Sequence, residues 1–351
     1  MSENANPQQT GLLTEEISAR ILRDMENGVI VIGPKGTIIE INDSASKMFE
    51  TTAEEAKSIS VLMKKHRDKK NDTLFQCMMD AIYQQETVHQ KKAPFVTAAG
   101  KAYSLHVTSS FLKGSDTKGV VITISDETVA DNLEIKRHDS MLVLLSVIVI
   151  LGLFIFTQAL INFIGNPVPS QFYSRFAEIV SVIALVMYLK FTSFTVKEMG
   201  LKSSNLKRDL LEAVGISAVI VAVLAIAKVI TIALGSTYFS KETAFFSWED
   251  RPAYLLEYVL IALYQEFLAR CALQANLQRI LGSKGAGGVV AILIASLIFG
   301  CLHMHYGLMY MIGASILMGS LGLIYRRQKN IWGTFIVHYV FGIAGKFLHW
   351  I

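Results

Sequence analysis

Cysteine is scarce: Cys77, Cys271 and Cys301 are the only three in 351 residues, and they stand far apart with no metal-ligand spacing. That excludes a disulfide framework. No His-Glu-x-x-His occurs, and His303-Met304-His305 puts two histidines on different helix faces, so a zinc site is disfavoured. The glycines at 282, 285, 287 and 288 precede no Gly-Lys-Ser/Thr after a strand, so they read as a loop and not a phosphate cradle. The first 25 residues lack a charged segment followed by an apolar one, so the N-terminus is expected to stay in the cytosol. The net charge of +4 gives no sign of a nucleic-acid partner. From Met141 to Ser174 charge is missing altogether.

What is present is apolar. Hydrophobic residues make up 52% and the mean hydropathy is +0.42, with the excess in one half. Residues 1–140 are polar and charged, whereas apolar runs recur from 141 to 351. Two units are therefore expected, a soluble domain and a polytopic membrane domain.

In the soluble half, Ile17, Ile21 and Met25 share a helix face, predicting an amphipathic helix over 12–26. Gly28–Ile32 reads as a strand, Gly33–Gly36 as a turn and Thr37–Ile41 as a second strand. Asn42 to Ala45 offer N-caps for a short helix through Phe49. Further strands are expected at Val88–Val96, Ala102–Phe111 and Gly119–Ser125. Two strands, a helical stretch and three strands, with Gly28-Val-Ile-Val-Ile, Ile41-Asn42, Ser44-Ala45 and the closing Asp126-Glu127-Thr128, resemble a PAS domain over residues 14–128. The resemblance implies an α+β sensor of a ligand or of redox state that often dimerises. It leaves the bound group open: haem, flavin, another small molecule, or none. No light-sensing flavin-cysteine motif is visible, and Cys77 is out of context for one. His66 and His89 are candidate haem ligands, against the preferred reading of solvated residues near Lys64, Lys65 and Lys91. Residues 129–140 are expected to form a stiff helical connector.

In residues 141–351 the apolar runs predict an all-α membrane domain of about seven transmembrane helices, near 141–162, 173–194, 212–235, 253–281, 287–303, 306–325 and 330–350. With the N-terminus inside, the inner loops hold Lys190, Lys197, Lys202, Lys207, Arg208, Arg279, Lys284, Arg326, Arg327 and Lys329; the outer ones hold Arg175, Lys241 and Arg251. Ten against three fits the positive-inside rule. Trp248, Trp332 and Trp350 sit near expected interfaces, and Lys228, inside the third span, is expected to snorkel. Ile351 closes the chain in or just after the last span, so a sensor's output is expected to be the membrane domain itself. The location implied is a cell (inner or plasma) membrane with the sensor domain in the cytosol.

Glu266 and Arg270 lie one turn apart in the fourth span and can pair. Charges there are costly and read as a functional site. His303 and His338 stand on the fifth and seventh spans. A carboxylate and two histidines can activate water and hold an oxyanion. Gln265-Glu266-x-x-x-Arg270, Phe299-x-x-x-His303 and His338-x-x-x-Gly342, in that order on separate spans, resemble the CAAX prenyl endopeptidase and bacteriocin-processing family of intramembrane proteases. That resemblance implies a peptidase fold acting on prenylated or transmembrane peptides.

Two positions depart from the family pattern. The glutamate that the family uses to activate water aligns with Gln265, and an amide is no base near neutral pH. The polar residue that helps hold the oxyanion aligns with Gly342. Loss of one oxyanion donor typically costs about 10²–10³ in rate, and loss of a general base about 10²–10⁴. Straight helices would also leave His303 about 10 Å shallower than Glu266 and His338, so the fifth span must be tilted, sunken or broken for them to meet. The favoured reading is a catalytically impaired sensor or regulator. The alternative is an active, PAS-gated endopeptidase using Glu266, His303 and His338. A transporter ranks last, because no internal repeat is visible. The partners implied are membrane lipid, a transmembrane or lipid-modified peptide or protein, and a second copy through the PAS domain.

Overall fold

The structure is a computed structural model that describes residues 7–84, 87–111, 119–165, 169–235, 244–246, 252–348 and 350. The chain divides into two compact units, Met1–Glu134 and Ile135–Ile351.

The first unit begins with helix α1 (Pro7–Asp24). Strands β1 (Gly28–Ile32) and β2 (Ile38–Ile41) follow, joined by a tight turn in which Lys35 and Gly36 take positive φ. Helices α2 (Asp43–Met48), α3 (Ile59–Lys65) and α4 (Asp72–Tyr83) come next. Strands β3 (His89–Val96), β4 (Ala102–Phe111) and β5 (Val120–Asp126) complete an antiparallel sheet of order β2-β1-β5-β4-β3. This is the expected sequence of two strands, helices and three strands. Period-2 alternation sets the face: Val120, Ile122 and Ile124 are buried while Val121, Thr123 and Ser125 are half-buried. Ile30, Ile32, Phe49, Leu62, Leu74, Met78, Phe95 and Leu105 fill the core, each contributing about 1.5–3 kcal/mol by leaving water.

Asn42 shows why its neighbourhood is sequence-specific. Its Oδ1 caps α2 through the Ala45 amide (3.0 Å) and accepts from the Val29 amide (2.8 Å). Its Nδ2 donates to the Leu22 and Asn27 carbonyls. At Gly28 a Cβ would press on Ala45 at 3.1 Å, so the strand needs glycine to pass the cap.

His66 corrects an expectation. It is not solvated but 2% exposed, because α3 and α4 turn it inward against Phe49 and Phe95. Its Nδ1 accepts from the Ala98 amide (3.0 Å), so Nε2 donates to the Phe49 carbonyl (2.8 Å). Both ring nitrogens are thereby committed to backbone, which leaves neither for haem. His89 is exposed on β3. Burial lowers the His66 pKa below its usual 6.5, with the Phe49 bond opposing. An unfolded chain therefore takes up a proton that the folded domain refuses, and sheet stability is expected to fall as pH drops below 6.5. His66→Leu should remove that pH dependence and cost about 1–3 kcal/mol by stranding two backbone groups. Amide hydrogen exchange at Ala98 in the full chain is the check; unchanged protection would refute it.

Helix α5 (Thr128–Ile164) opens with Asp126 accepting from the Thr128 amide (3.0 Å), while the Thr128 hydroxyl accepts from the Ser104 amide (2.9 Å). Its first turns belong to the first unit, where Lys92 pairs with Asp131 and Glu134.

The second unit is helical: the rest of α5, α6 (Ser170–Phe191), α7 (Leu206–Ala233), α8 (Pro252–Glu266), a π-helix (Phe267–Gln274), α9 (Ala275–Leu281), α10 (Gly285–Cys301), α11 (Leu308–Gln328) and α12 (Trp332–Phe347). Each of the seven expected apolar segments is helical. Among the described residues three helices are long and apolar enough to cross a membrane: Thr128–Ile161, Leu206–Ala233 and Leu308–Gln328. Several basic residues expected in loops lie on helix turns instead: Arg175 on α6, Lys207 and Arg208 at the start of α7, Arg279 on α9, Arg326 and Arg327 at the end of α11. Helices outrun the apolar stretch and carry their charges on the polar end turns. Lys228 does not snorkel; it is fully buried, with its ammonium 5.9 Å from the Trp350 ring centre, because the chain end folds back over α7. Lys241, Trp248 and Arg251 lie outside the described residues.

Candidate functional site

The fourth apolar segment does not stay α-helical through its charged motif. Phe267–Gln274 widens to i→i+5 bonding, closed by the Ala275 amide on the Arg270 carbonyl. All eight residues are buried. Such segments are rare and mostly short, and are frequent at functional sites. Widening leaves carbonyls to satisfy, and the Asn276 amide donates to two of them, Cys271 (3.0 Å) and Ala272 (2.9 Å). Asn276 is in turn held by Arg279 (2.8 Å), whose guanidinium also covers the Phe194 ring at 3.9 Å and donates to the Glu198 carbonyl. Burial opposes ionisation of the Glu198 side chain, but Lys136 and two Thr195 donors hold its pKa down at about 2, so the clasp stays charged at neutral pH.

Glu266 and Arg270 are both 0% exposed. Arg270 Nε donates to Glu266 Oε2 (3.0 Å), Nη1 to Gln274 Oε1 (2.7 Å) and Nη2 to the Met318 carbonyl (2.9 Å). Gln274 Nε2 in turn donates to the Gly322 carbonyl (2.9 Å). Gly322 permits that approach, since a Cβ there would meet Ile292 at 2.8 Å and both Arg270 and Gln274 at 3.1 Å. The second Glu266 oxygen, Oε1, accepts from His338 Nδ1 at 2.9 Å. A carboxylate only accepts, so His338 carries its proton on Nδ1 and, when neutral, its lone pair on Nε2. This is how a carboxylate orients an imidazole.

Helix α10 stops at Cys301, and a short turn with Gly307 at φ +105° follows. Phe299 packs with Ala269, Met318 and Val337, which brings it level with the ion pair. His303 sits past the helix end. Its Nδ1 bonds the Phe299 carbonyl (3.1 Å) and its ring lies 4.9 Å from that of Phe299. Among the described contacts it makes none to a Glu266 oxygen. Gln265 is half-buried, on a face different from that of Glu266. The structure thus brings Glu266, Arg270 and His338 together and leaves His303 and Gln265 outside that hydrogen-bonded set.

Sequence reasoning missed Gln274, Asn276 and Tyr258. Gln274 was findable, as the third polar residue in the series 266, 270, 274. Tyr258 meets His338 edge-on at 6.3 Å and fills the space beside Gly342, which a single sequence does not announce.

Residues 247–344 match the family model described as type II CAAX prenyl endopeptidase Rce1-like. No curated protein matches the chain. Solved structures similar to its N-terminal third include a PAS domain of a two-component sensor histidine kinase (12% identity, 33% of this chain and 98% of that one, TM-score 0.26). Others are the PAS domain of nitrogen regulation protein NR(II) from Vibrio parahaemolyticus (17%, 31% and 97%, 0.25) and that of an HTR-like protein from Haloarcula marismortui (17%, 34% and 98%, 0.27).

Proposed function

We propose, from the premise that residues 247–344 form an Rce1-like CAAX protease family domain behind a PAS-like sheet domain, that this protein is a membrane regulator that keeps a peptidase site without its hydrolytic step. One observation carries the reading: both oxygens of Glu266 are committed, one to Arg270 and one to His338, so the motif's remaining carboxylate is not free to take a proton from water. At the motif position where the resemblance implies a base, Gln265 offers an amide, and Gly342 offers no donor side chain. A buried charge held by three elements is suited to binding and to holding shape.

The family is membrane-embedded, and three long apolar helices with two shorter apolar ones among the described residues support a domain that crosses the membrane several times, for which this reading keeps seven crossings. The excess of basic residues on one set of helix ends supports a cytosolic sheet domain. The partner this reading assigns is a transmembrane or lipid-modified segment bound without cleavage, with membrane lipid around it and a second copy through the sheet domain.

The test is cleavage of a transmembrane and lipid-modified peptide library by the full chain in lipid nanodiscs. The wild type is expected to cleave nothing. Cleavage that Glu266→Ala and His303→Ala both abolish would overturn this reading. It would favour the second one, an active endopeptidase gated by the sheet domain. That alternative draws support from His338, whose Nδ1 is anchored on a carboxylate while Nε2 carries the lone pair, as in a general base.

A further inference from the structure

Gly342 is buried on α12 where α8 crosses it. A Cβ built there would lie 2.1 Å from Tyr258 Oη and 2.3 Å from two of its ring carbons. No pair of unbonded heavy atoms tolerates that, so this position of the phenol and any side chain at 342 exclude one another. The phenol is not a loose end able to step aside freely. Tyr258 stacks on Tyr254 with ring centres 5.6 Å apart and on Tyr339 at 6.0 Å, and it meets His338 edge-on at 6.3 Å. Tyr339 is pinned in turn, its hydroxyl donating to the Leu255 carbonyl (3.3 Å). The space that a side chain at 342 would take is therefore occupied by a ring from α8.

We propose that Tyr258 acts as a stopper: it takes the space beside His338 that a side chain at 342 would otherwise fill, and so closes the approach to that imidazole. The proposal rests on the reading of the site as non-hydrolytic and deepens it. The glycine at 342 is then more than a missing donor; it is the condition for the stopper to seat. On this proposal a ligand reaches His338 only when the Tyr254–Tyr258–Tyr339 stack moves aside.

Diethyl pyrocarbonate tests this directly, because it acylates a neutral imidazole nitrogen and mass spectrometry reads the adduct residue by residue. The full chain in nanodiscs is labelled and the rate at His338 followed, with His338→Gln as the blank. Tyr258→Phe keeps the ring and is expected to leave the rate unchanged. Tyr258→Ala removes the stopper and is expected to speed labelling about tenfold, the ratio that ~1.4 kcal/mol of easier access produces. Gly342→Ala keeps the tyrosine but drives it out of its seat, and is expected to speed labelling as well. It adds a methyl and favours the helix, so it remains informative if Tyr258→Ala does not fold. Equal rates in wild type and Gly342→Ala would overturn the proposal, as would Tyr258→Phe reacting as fast as Tyr258→Ala. Neither readout involves cleavage, so its failure leaves the inert reading standing. Cleavage by the wild type would count against that reading without altering the labelling result.

Discussion

Arg270→Met is expected to destabilise the helical domain by about 3–5 kcal/mol, the cost of leaving a buried charge without its partner. In the wild type the guanidinium serves Glu266, Gln274 and the Met318 carbonyl at once, and all of these are shielded from water. Methionine fills much the same space, so the loss isolates charge and hydrogen bonding from packing. Arg270→Lys should recover little, because one ammonium cannot reproduce a planar fork that reaches three elements. The decisive comparison is the double variant Glu266→Gln/Arg270→Met, in which no charge is left unpaired. It should be more stable than Arg270→Met alone, a coupling that independent sites would not show. Thermal unfolding of the full chain in detergent reads all four proteins. If Arg270→Met melts with the wild type, the ion pair does not hold the π-helical turn and the site described here is not a structural unit.

Gln265→Glu on the Tyr258→Ala background is expected to create peptide cleavage where the wild type is expected to show none. A restored general base is worth about 10²–10⁴ in rate. Opening the pocket beside His338 lets a scissile carbonyl approach, yet Gly342 still offers no donor, so the rate should stay about 10²–10³ below that of a fully equipped site. Gln265→Glu alone should give the smaller gain, because the phenol remains seated. Adding Gly342→Asn to the pair should raise the rate again. Single-turnover cleavage of a fluorogenic transmembrane peptide follows the series. A folded double variant with no cleavage at all would mean that residue 265 does not face His338, and would overturn the peptidase reading of the motifs.

Much was legible in the chain because the relevant signals are local. Alternating burial along Val120–Ser125, the cap at Asn42 and the apolar runs from 141 to 351 each follow from spacing that one stretch of sequence carries by itself. The pairing of Glu266 with Arg270 is of the same kind, since four residues return a helix to the same face. The three motifs in order resemble, for the same reason, those of the family whose model residues 247–344 match.

Tertiary structure decided whatever depends on groups distant in the chain. His66 reads as a solvated residue among lysines, but the strand end at Ala98, 32 residues on, supplies the donor that lets it stay buried. The π-helix has no propensity signal; two of the carbonyls that widening leaves over, those of Cys271 and Ala272, are satisfied by the Asn276 side-chain amide. The same long-range packing set Glu266 between Arg270 and His338, ended α10 before His303, and filled the gap at Gly342 from α8. Sequence alone determined which residue types each helix would bring, because periodicity is a property of one segment. Which oxygen meets which nitrogen, and whether a glycine is a hole or a seat, was settled by the neighbours, because buried polar groups take the partner that the packed fold places within three ångströms.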